Sequence, residues 1–239
     1  MEARDERRVP RRRTSLLAAS DLVEQFRKVE RVEGDRRIVE LESRLGTCVH
    51  GRHTAGVPRH VFAAVGERLL ARGFSTATPI RETFWDVTTT LKSSPVRVKL
   101  TPDFKLAEVI VKELRWSQTT TADEDGLTTV RTSLSVEQPV IVSEANIMGN
   151  TIRTISGESE GWVRHKVRRT LFDTSHPHIR VDMTVVQQGA DVRKCQAAPQ
   201  VFEIEIEMTF DRSTPEMDVE KAQMFLDTVD LIAQIVETA

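Results

Sequence analysis

Glu203, Glu205 and Glu207 fall at every second residue of one stretch, with Phe202, Ile204, Ile206 and Met208 around and between them. Side chains alternate faces in a strand, so the three carboxylates share one face and the four apolar residues the other. Val39-Glu40-Leu41-Glu42 repeats the pattern. If both strands sit in one sheet, five carboxylates crowd a small surface, where unit charges ~5 Å apart repel by ~3 kcal/mol at an effective dielectric of about 20. A divalent cation reverses that sign. Taken singly, each stretch also reads as a half-buried strand with a solvated acidic face.

The same alternation recurs with other polar residues. Arg164, Lys166 and Arg168 share one strand face, and Arg180, Asp182 and Thr184 share another. Arg97 and Lys99 alternate, as do Ser133, Ser135 and Glu137. Two topologies accommodate these faces. Pointing outward, they would solvate an ordinary apolar barrel; pointing inward, they would need helices to cover the apolar outside. The inward arrangement could hold a hydrated metal and a polyanion together. Lys and Arg bind phosphate oxygens, Arg often through two parallel hydrogen bonds, and carboxylates hold Mg²⁺ or Mn²⁺ through oxygen.

The elements that would position these groups are legible in outline. Leu17, Asp21, Leu22, Phe26 and Val29 predict a helix from Ser15 to about Val32, restarted by a Ser20 cap. After Gly34 the chain reads as a strand through Leu45, with Gly46 ending it. Pro58 suits the first turn of a helix carrying Val61, Val65 and Leu69 on one face, closed by Gly73. β-Branched and aromatic residues then predict strands at 80–91, 96–101, 106–116 and 128–138, separated by turn signals such as Asp123-Glu124-Asp125-Gly126. A loop through Gly149 and Asn150 and a short strand near Ile152 lead to strands at 161–172, 179–187 and 200–210. From Pro215 onward Val219, Ala222, Phe225, Val229, Ile232 and Val236 trace one helical face. About eight strands with three helices at the margins predict a mainly β (α+β) chain built on a closed antiparallel barrel, since closure removes exposed edges.

At 239 residues and 39% apolar content the chain can bury one substantial core, and one domain over residues 15–239 is expected. Residues 1–14 carry six arginines and few apolar residues, the composition of a disordered arm. A net charge of −2 argues neither for nor against an anionic partner. Cys48 and Cys195 are too few for a disulfide framework and fit a reducing compartment. No apolar run is long enough to span a bilayer, so no membrane partner is expected. Cys48, His50 and His53 lack a second pair that would complete a zinc site. His165, between Arg164 and Lys166, should face away from any polar interior, and Trp85, Trp116 and Trp162 read as core or shell. No phosphate-binding P-loop pattern occurs.

Glu40-Leu41-Glu42-Ser43-Arg44-Leu45-Gly46 and Glu203-Ile204-Glu205-Ile206-Glu207 resemble the two metal-binding glutamate strands of the fungal and protozoan mRNA-capping RNA 5′-triphosphatases, members of the triphosphate tunnel metalloenzyme superfamily. Arg164-His165-Lys166-Val167-Arg168 is similar to that family's basic strand, and Arg180-Val181-Asp182-Met183-Thr184 to the strand after it. Ser135-Val136-Glu137-Gln138-Pro139 resembles the strand supplying a further essential glutamate. Arg97 and Lys112 match upstream phosphate-binding positions, with Lys99, Glu113 or Arg115 as the alternative registers. The resemblance runs in order from about residue 38 to 210.

It implies an eight-stranded tunnel that hydrolyses the γ-phosphate of triphosphate-ended RNA, the first step of mRNA capping, with Mg²⁺ or Mn²⁺ as cofactor. On this reading Glu40, Glu42 and Glu207 hold the metal. Glu137 and Glu205 orient the attacking water, with Glu203 and Asp182 as further catalytic-site carboxylates. Arg97, Lys112, Arg164, Lys166, Arg168 and Arg180 bind phosphates, Arg164 serving either the phosphates or a neighbouring carboxylate. The implied partners are the 5′-triphosphate end of nascent RNA and the capping guanylyltransferase, the implied location is the nucleus, and a monomer is preferred to a homodimer. One alternative is the superfamily branch that acts on small triphosphates or tripolyphosphate, which typically carries E-x-E-x-K near its start; here Arg44 stands at the lysine position. Another is a catalytically silent barrel that binds polyanions.

Overall fold

The computed structural model describes residues 17–32, 38–50, 52–91, 94–121, 128–141, 143–211 and 216–239. The arginine-rich arm at 1–14 lies outside them. In chain order the elements are α1 (Ala19–Val32), β1 (Ile38–Val49), β2 (Arg52–Ala55), α2 (Arg59–Ala71), β3 (Ser75–Thr76), β4 (Glu82–Leu91), β5 (Ser94–Leu100), β6 (Leu106–Thr121), β7 (Thr128–Pro139), α3 (Glu144–Ile155), β8 (Trp162–Phe172), β9 (Arg180–Gly189), α4 (Val192–Ala197), β10 (Val201–Phe210) and α5 (Val219–Glu237).

Eight strands form a ring in the order β10-β9-β8-β4-β5-β6-β7-β1, and β1 pairs with β10 to close it. Every pairing is antiparallel. Short β2 and β3 pair with β1 and β8 outside the ring. Closure satisfies both edges of every ring strand, and the alternation then decides what goes inside. The polar faces point inward: Glu40, Glu42, Asp182, Glu203, Glu205 and Glu207 are all buried in the barrel wall.

The apolar faces therefore point out, and helices cover them. Ile204, Ile206 and Met208 of β10, Leu41 of β1, Leu134 of β7 and Val181 of β9 form one core with Leu22 and Phe26 of α1, Val65 of α2 and Phe225 and Val229 of α5. Phe26 meets Phe210 edge-on at 4.6 Å between ring centroids. A second core on the opposite side joins Trp85, Val87, Val98 and Val163 to Ile147 of α3 and Cys195 of α4. Trp85 packs there against Phe104 at 5.0 Å and His165 at 4.6 Å, so His165 does face away from the interior. No helix among the described residues is long and apolar enough to cross a membrane.

Three expectations about elements are corrected. Residues 144–155 form helix α3, not a loop and short strand. Its buried face is Ile147, Thr151 and Thr154, and the two threonines return their hydroxyls to the carbonyls of Ile147 and Asn150. The helical period is there, but written in polar residues. Helix α4 was not expected either; Asp191 caps it by accepting from the Lys194 N–H at 2.7 Å, making five helices among the described residues instead of three. Gly46 does not end β1, which runs on to Val49 and folds back as β2. A Cβ at Gly46 would lie 2.1 Å from the Thr54 carbonyl oxygen, so glycine is required there for close approach of the hairpin.

Candidate active site

The register of the closing pair brings the two glutamate strands together. Glu42 pairs with Glu207 and Arg44 with Glu205. Glu40, Glu42 and Glu207 each offer a carboxylate oxygen within 4.8 Å of the others, the one such acidic group of metal-binding geometry among the described residues. Lys112 on β6 contacts Glu40, and its Nζ lies 3.4 Å from Glu42 and 3.3 Å from Glu137. Arg180 donates from Nε to Glu207 Oε2 at 2.8 Å. Lys112 therefore occupies the inward register, and Glu137 reaches the same group of charges. Outside this group, Cys48 and His53 are cross-strand partners, and His53 Nδ1 bonds Thr129 Oγ1 at 2.8 Å.

The remaining sequence-derived groups line the same interior. Arg168 Nη1 lies 3.0 Å from Asp182 Oδ2, while Thr170 Oγ1 donates to Asp182 Oδ1 at 2.5 Å. Arg180 also lies 3.7 Å from Asp182. Arg164 grips Glu203 with 2.6 and 2.7 Å contacts to its two oxygens, so in this structure Arg164 serves a carboxylate and Glu203 stands apart from the acidic trio. Both Arg97 and Lys99 face the interior: Arg97 Nη2 donates to Asp86 Oδ2 at 2.7 Å and Lys99 to Glu82 at 2.6 Å. Glu113 and Arg115 are absent from the lining.

Several interior residues had not been singled out from sequence. Asp86, on β4, is held between Arg97 and Lys166, whose Nζ lies 2.9 Å away. Phe84 faces inward beneath three cations, with Lys99, Lys166 and Arg168 at 4.5, 5.7 and 5.2 Å from its ring centroid. Phe84 beside outward Trp85 breaks the polar/apolar alternation that would otherwise have marked Glu82, Asp86 and Thr88. Arg44 contacts Glu205 and lies 2.8 Å from Glu42. On β6 a bulge between Leu114 and Trp116 flips the register, which turns Trp116 outward onto the core.

Burial in a carboxylate-rich wall sets the ionisation of these groups. Desolvation and then the Glu207 charge push Glu40 well above the usual carboxylate range, and desolvation pushes Glu207 up against the pull of Arg180. Glu205 responds oppositely: burial would raise it, but Arg44, followed by Lys166 and Arg168, holds it at about 2. Burial lowers Lys166 despite Asp86. The trio is thus short of positive charge even with Lys112 and Arg180 against it, and its donors are hard carboxylate oxygens. Those properties fit Mg²⁺ or Mn²⁺.

No family model matches this sequence, and no curated protein does. Among solved structures, the Pct1 RNA triphosphatase of S. pombe superposes with a TM-score of 0.60 over 90% of each chain at 16% identity. The same enzyme in complex with the Spt5 CTD gives 0.62 at 14% identity over 90% of each chain. The Mimivirus capping enzyme triphosphatase gives 0.56 at 16% identity, over 90% of this chain and 96% of that one. The chain has the triphosphate-tunnel fold. Within this tunnel the trio, Lys112, Arg97, Lys166, Arg168, Arg180 and Glu205 line a cavity of about 140 Å³, which meets a second of about 410 Å³ that Arg164 lines.

Proposed function

We propose that this chain is a metal-dependent RNA 5′-triphosphatase that removes the γ-phosphate of triphosphate-ended RNA to leave a diphosphate end, the first step of mRNA capping. The observation that carries this reading is the convergence of Glu40, Glu42 and Glu207 beside a ring of cations inside a closed barrel. Similarity in fold to capping RNA triphosphatases supports the choice of substrate.

Glu40, Glu42 and Glu207 would hold Mg²⁺ or Mn²⁺, which when bound supplies a Lewis acid that neutralises charge on the phosphoryl oxygens. Phosphoryl transfer depends mainly on positioning and electrostatic stabilisation. Arg97, Lys112, Lys166, Arg168 and Arg180 supply the cations for the phosphate oxygens. Each is ion-paired to a carboxylate in this structure, so the phosphates take over contacts that the carboxylates now make. Asp86 and Asp182 hold those cations in position. Arg164, gripping Glu203, stiffens the wall at the Glu203 end of β10. Glu205, ionised, and Glu137, beside Lys112, accept hydrogen bonds from the attacking water and hold it in line.

The substrate is the 5′-triphosphate end of nascent RNA, which places the protein in the nucleus beside a capping guanylyltransferase, as a monomer. Phosphate release from triphosphate-ended RNA, nucleoside triphosphate and tripolyphosphate, with Mg²⁺ or Mn²⁺, tests the reading. RNA should be the best substrate, and an excess of chelator should stop release. Full activity in chelator would remove the metal; preference for tripolyphosphate would move the chain to the small-triphosphate branch.

A further inference from the structure

The two ends of the tunnel carry unlike charge. Among the described residues, the cavity containing the acidic trio is lined by seven carboxylates and seven cations. The larger one, which meets it at Glu42, Arg44, Arg97 and Lys112, is lined by five cations and by Glu42 as the lone carboxylate. Exposed Glu108 stands at the rim of the first; Leu114, 51% exposed, and half-buried Arg131 stand at the second.

Two side chains at the basic end are uncommitted. Arg44, Arg97, Lys112 and Arg164 are each ion-paired to a carboxylate, whereas Arg131 has no hydrogen-bond or ion-pair partner among the described residues. His53 leans over Gly46, where a Cβ would lie 2.7 Å from its Cε1, and spends Nδ1 on Thr129. Its Nε2 is buried without a partner. The end therefore offers a free guanidinium, an unfilled ring nitrogen, the hydroxyls of Ser133 and Ser135 and an apolar rim.

We infer that the 5′ end of the RNA enters through this basic end, and that Arg131, His53 and Leu114 seat its first nucleotides. The inference rests on the RNA 5′-triphosphatase reading and adds the direction of the substrate and the groups that separate RNA from free tripolyphosphate. A polyanion approaching from the other end would pass Glu108, Glu137 and the acidic trio before meeting a cation surplus. From the basic end the leading γ-phosphate passes Arg131 and Arg164 and reaches the trio last. The nucleotides that follow then lie on Arg131, which suits a phosphodiester, with Leu114 against a ribose or base and the His53 ring forming the wall beside them. Released phosphate leaves by the Glu108 end.

The test is a competition binding measurement with Mn²⁺, using two non-hydrolysable probes: a short RNA ending in a β,γ-imido triphosphate, and imido-tripolyphosphate. Arg131→Ala, folded as judged by an unchanged melting temperature, should weaken the RNA about tenfold while changing imido-tripolyphosphate by less than about twofold. Glu108→Gln at the opposite rim should leave the RNA's advantage unchanged. Equal weakening of both probes by Arg131→Ala, no weakening of either, or loss of the RNA's advantage in Glu108→Gln would each overturn the inference. Because binding is read without turnover, failure to release phosphate from RNA would count against the function and leave the direction of binding to be decided by these outcomes.

Discussion

Lys166 Nζ lies 2.9 Å from Asp86 Oδ2 inside the barrel, with the two side chains only 3% and 7% exposed. Arg97 closes on the same carboxylate. One aspartate thus fixes two cations that the proposed chemistry directs at phosphate. Asp86→Asn leaves both without their counter-charge, and removing one member of a buried pair costs about 3–5 kcal/mol. Urea denaturation at neutral pH should show a loss of that order. Burial raises the Asp86 carboxyl, but Lys166 and Arg97 more than reverse it and hold it below its ordinary value. A depressed folded value means that its contribution is complete above the unfolded pKa of about 4 and is lost as pH falls through the folded value. The difference between wild type and variant should therefore hold steady from neutral pH to about 5 and shrink only below about 4. A difference that is already lost at pH 6 would contradict the assignment.

Glu40 makes the opposite prediction. Its charge is unfavourable in the fold, because burial and then Glu207 raise its pKa. Glu40→Gln should melt at the same or a higher temperature than wild type without divalent cations, while losing phosphate release by about 10²-fold or more. Mn²⁺ should raise the wild-type melting temperature in proportion to its occupancy and leave the variant's almost unchanged. Calorimetry with and without Mn²⁺ reads both effects, and an equal metal-induced shift in the two proteins would remove Glu40 from the ligand set.

Arg168 tests the difference between a guanidinium and a point charge. It reaches Asp182 at 3.0 Å through one guanidinium nitrogen and keeps further N–H donors in a planar fork, which a lysine ammonium lacks. Arg168→Ala should cut turnover by about 10²-fold with the fold retained, and Arg168→Lys should restore only part of it. Steady-state rates on triphosphate-ended RNA check this, and full rescue by lysine would show that charge alone suffices.

The barrel was legible in sequence because the strand period is two and most strands give one face to polar residues. Glu203, Glu205 and Glu207 against Ile204 and Ile206 mark which residues of β10 share a face. What sequence could not show was the direction of those faces; closure of β1 onto β10 and cover by α1, α2 and α5 decide that, and both are long-range. Asp86 stayed hidden because Phe84 turns inward to carry cations and breaks its strand's pattern. Helix α3 stayed hidden because its buried face uses Thr151 and Thr154, which resemble strand residues until their hydroxyls find the helix's own carbonyls. His53 and Arg131 meet only because β2 folds back over Gly46.

His53 also gives the fold a pH dependence of its own. Burial, then the charges of Arg131 and Arg44, lowers its pKa from the ordinary 6.5 to about 4. The folded state therefore resists protonation that the unfolded chain accepts. For a base with a depressed folded value, stability is full above the unfolded pKa near 6.5 and falls as pH drops from there toward 4, levelling once the folded ring is also protonated. His53 is half-buried, so solvent screening softens the effect. His53→Gln, which can still bond Thr129 but cannot titrate, should flatten the part of the melting-temperature curve between pH 6.5 and 4 while matching wild type more closely below pH 4. Thermal melts at half-unit pH steps decide it. Parallel curves through the whole window would mean that the ring is as readily protonated in the fold as in the unfolded chain, and that its buried Nε2 is open to water.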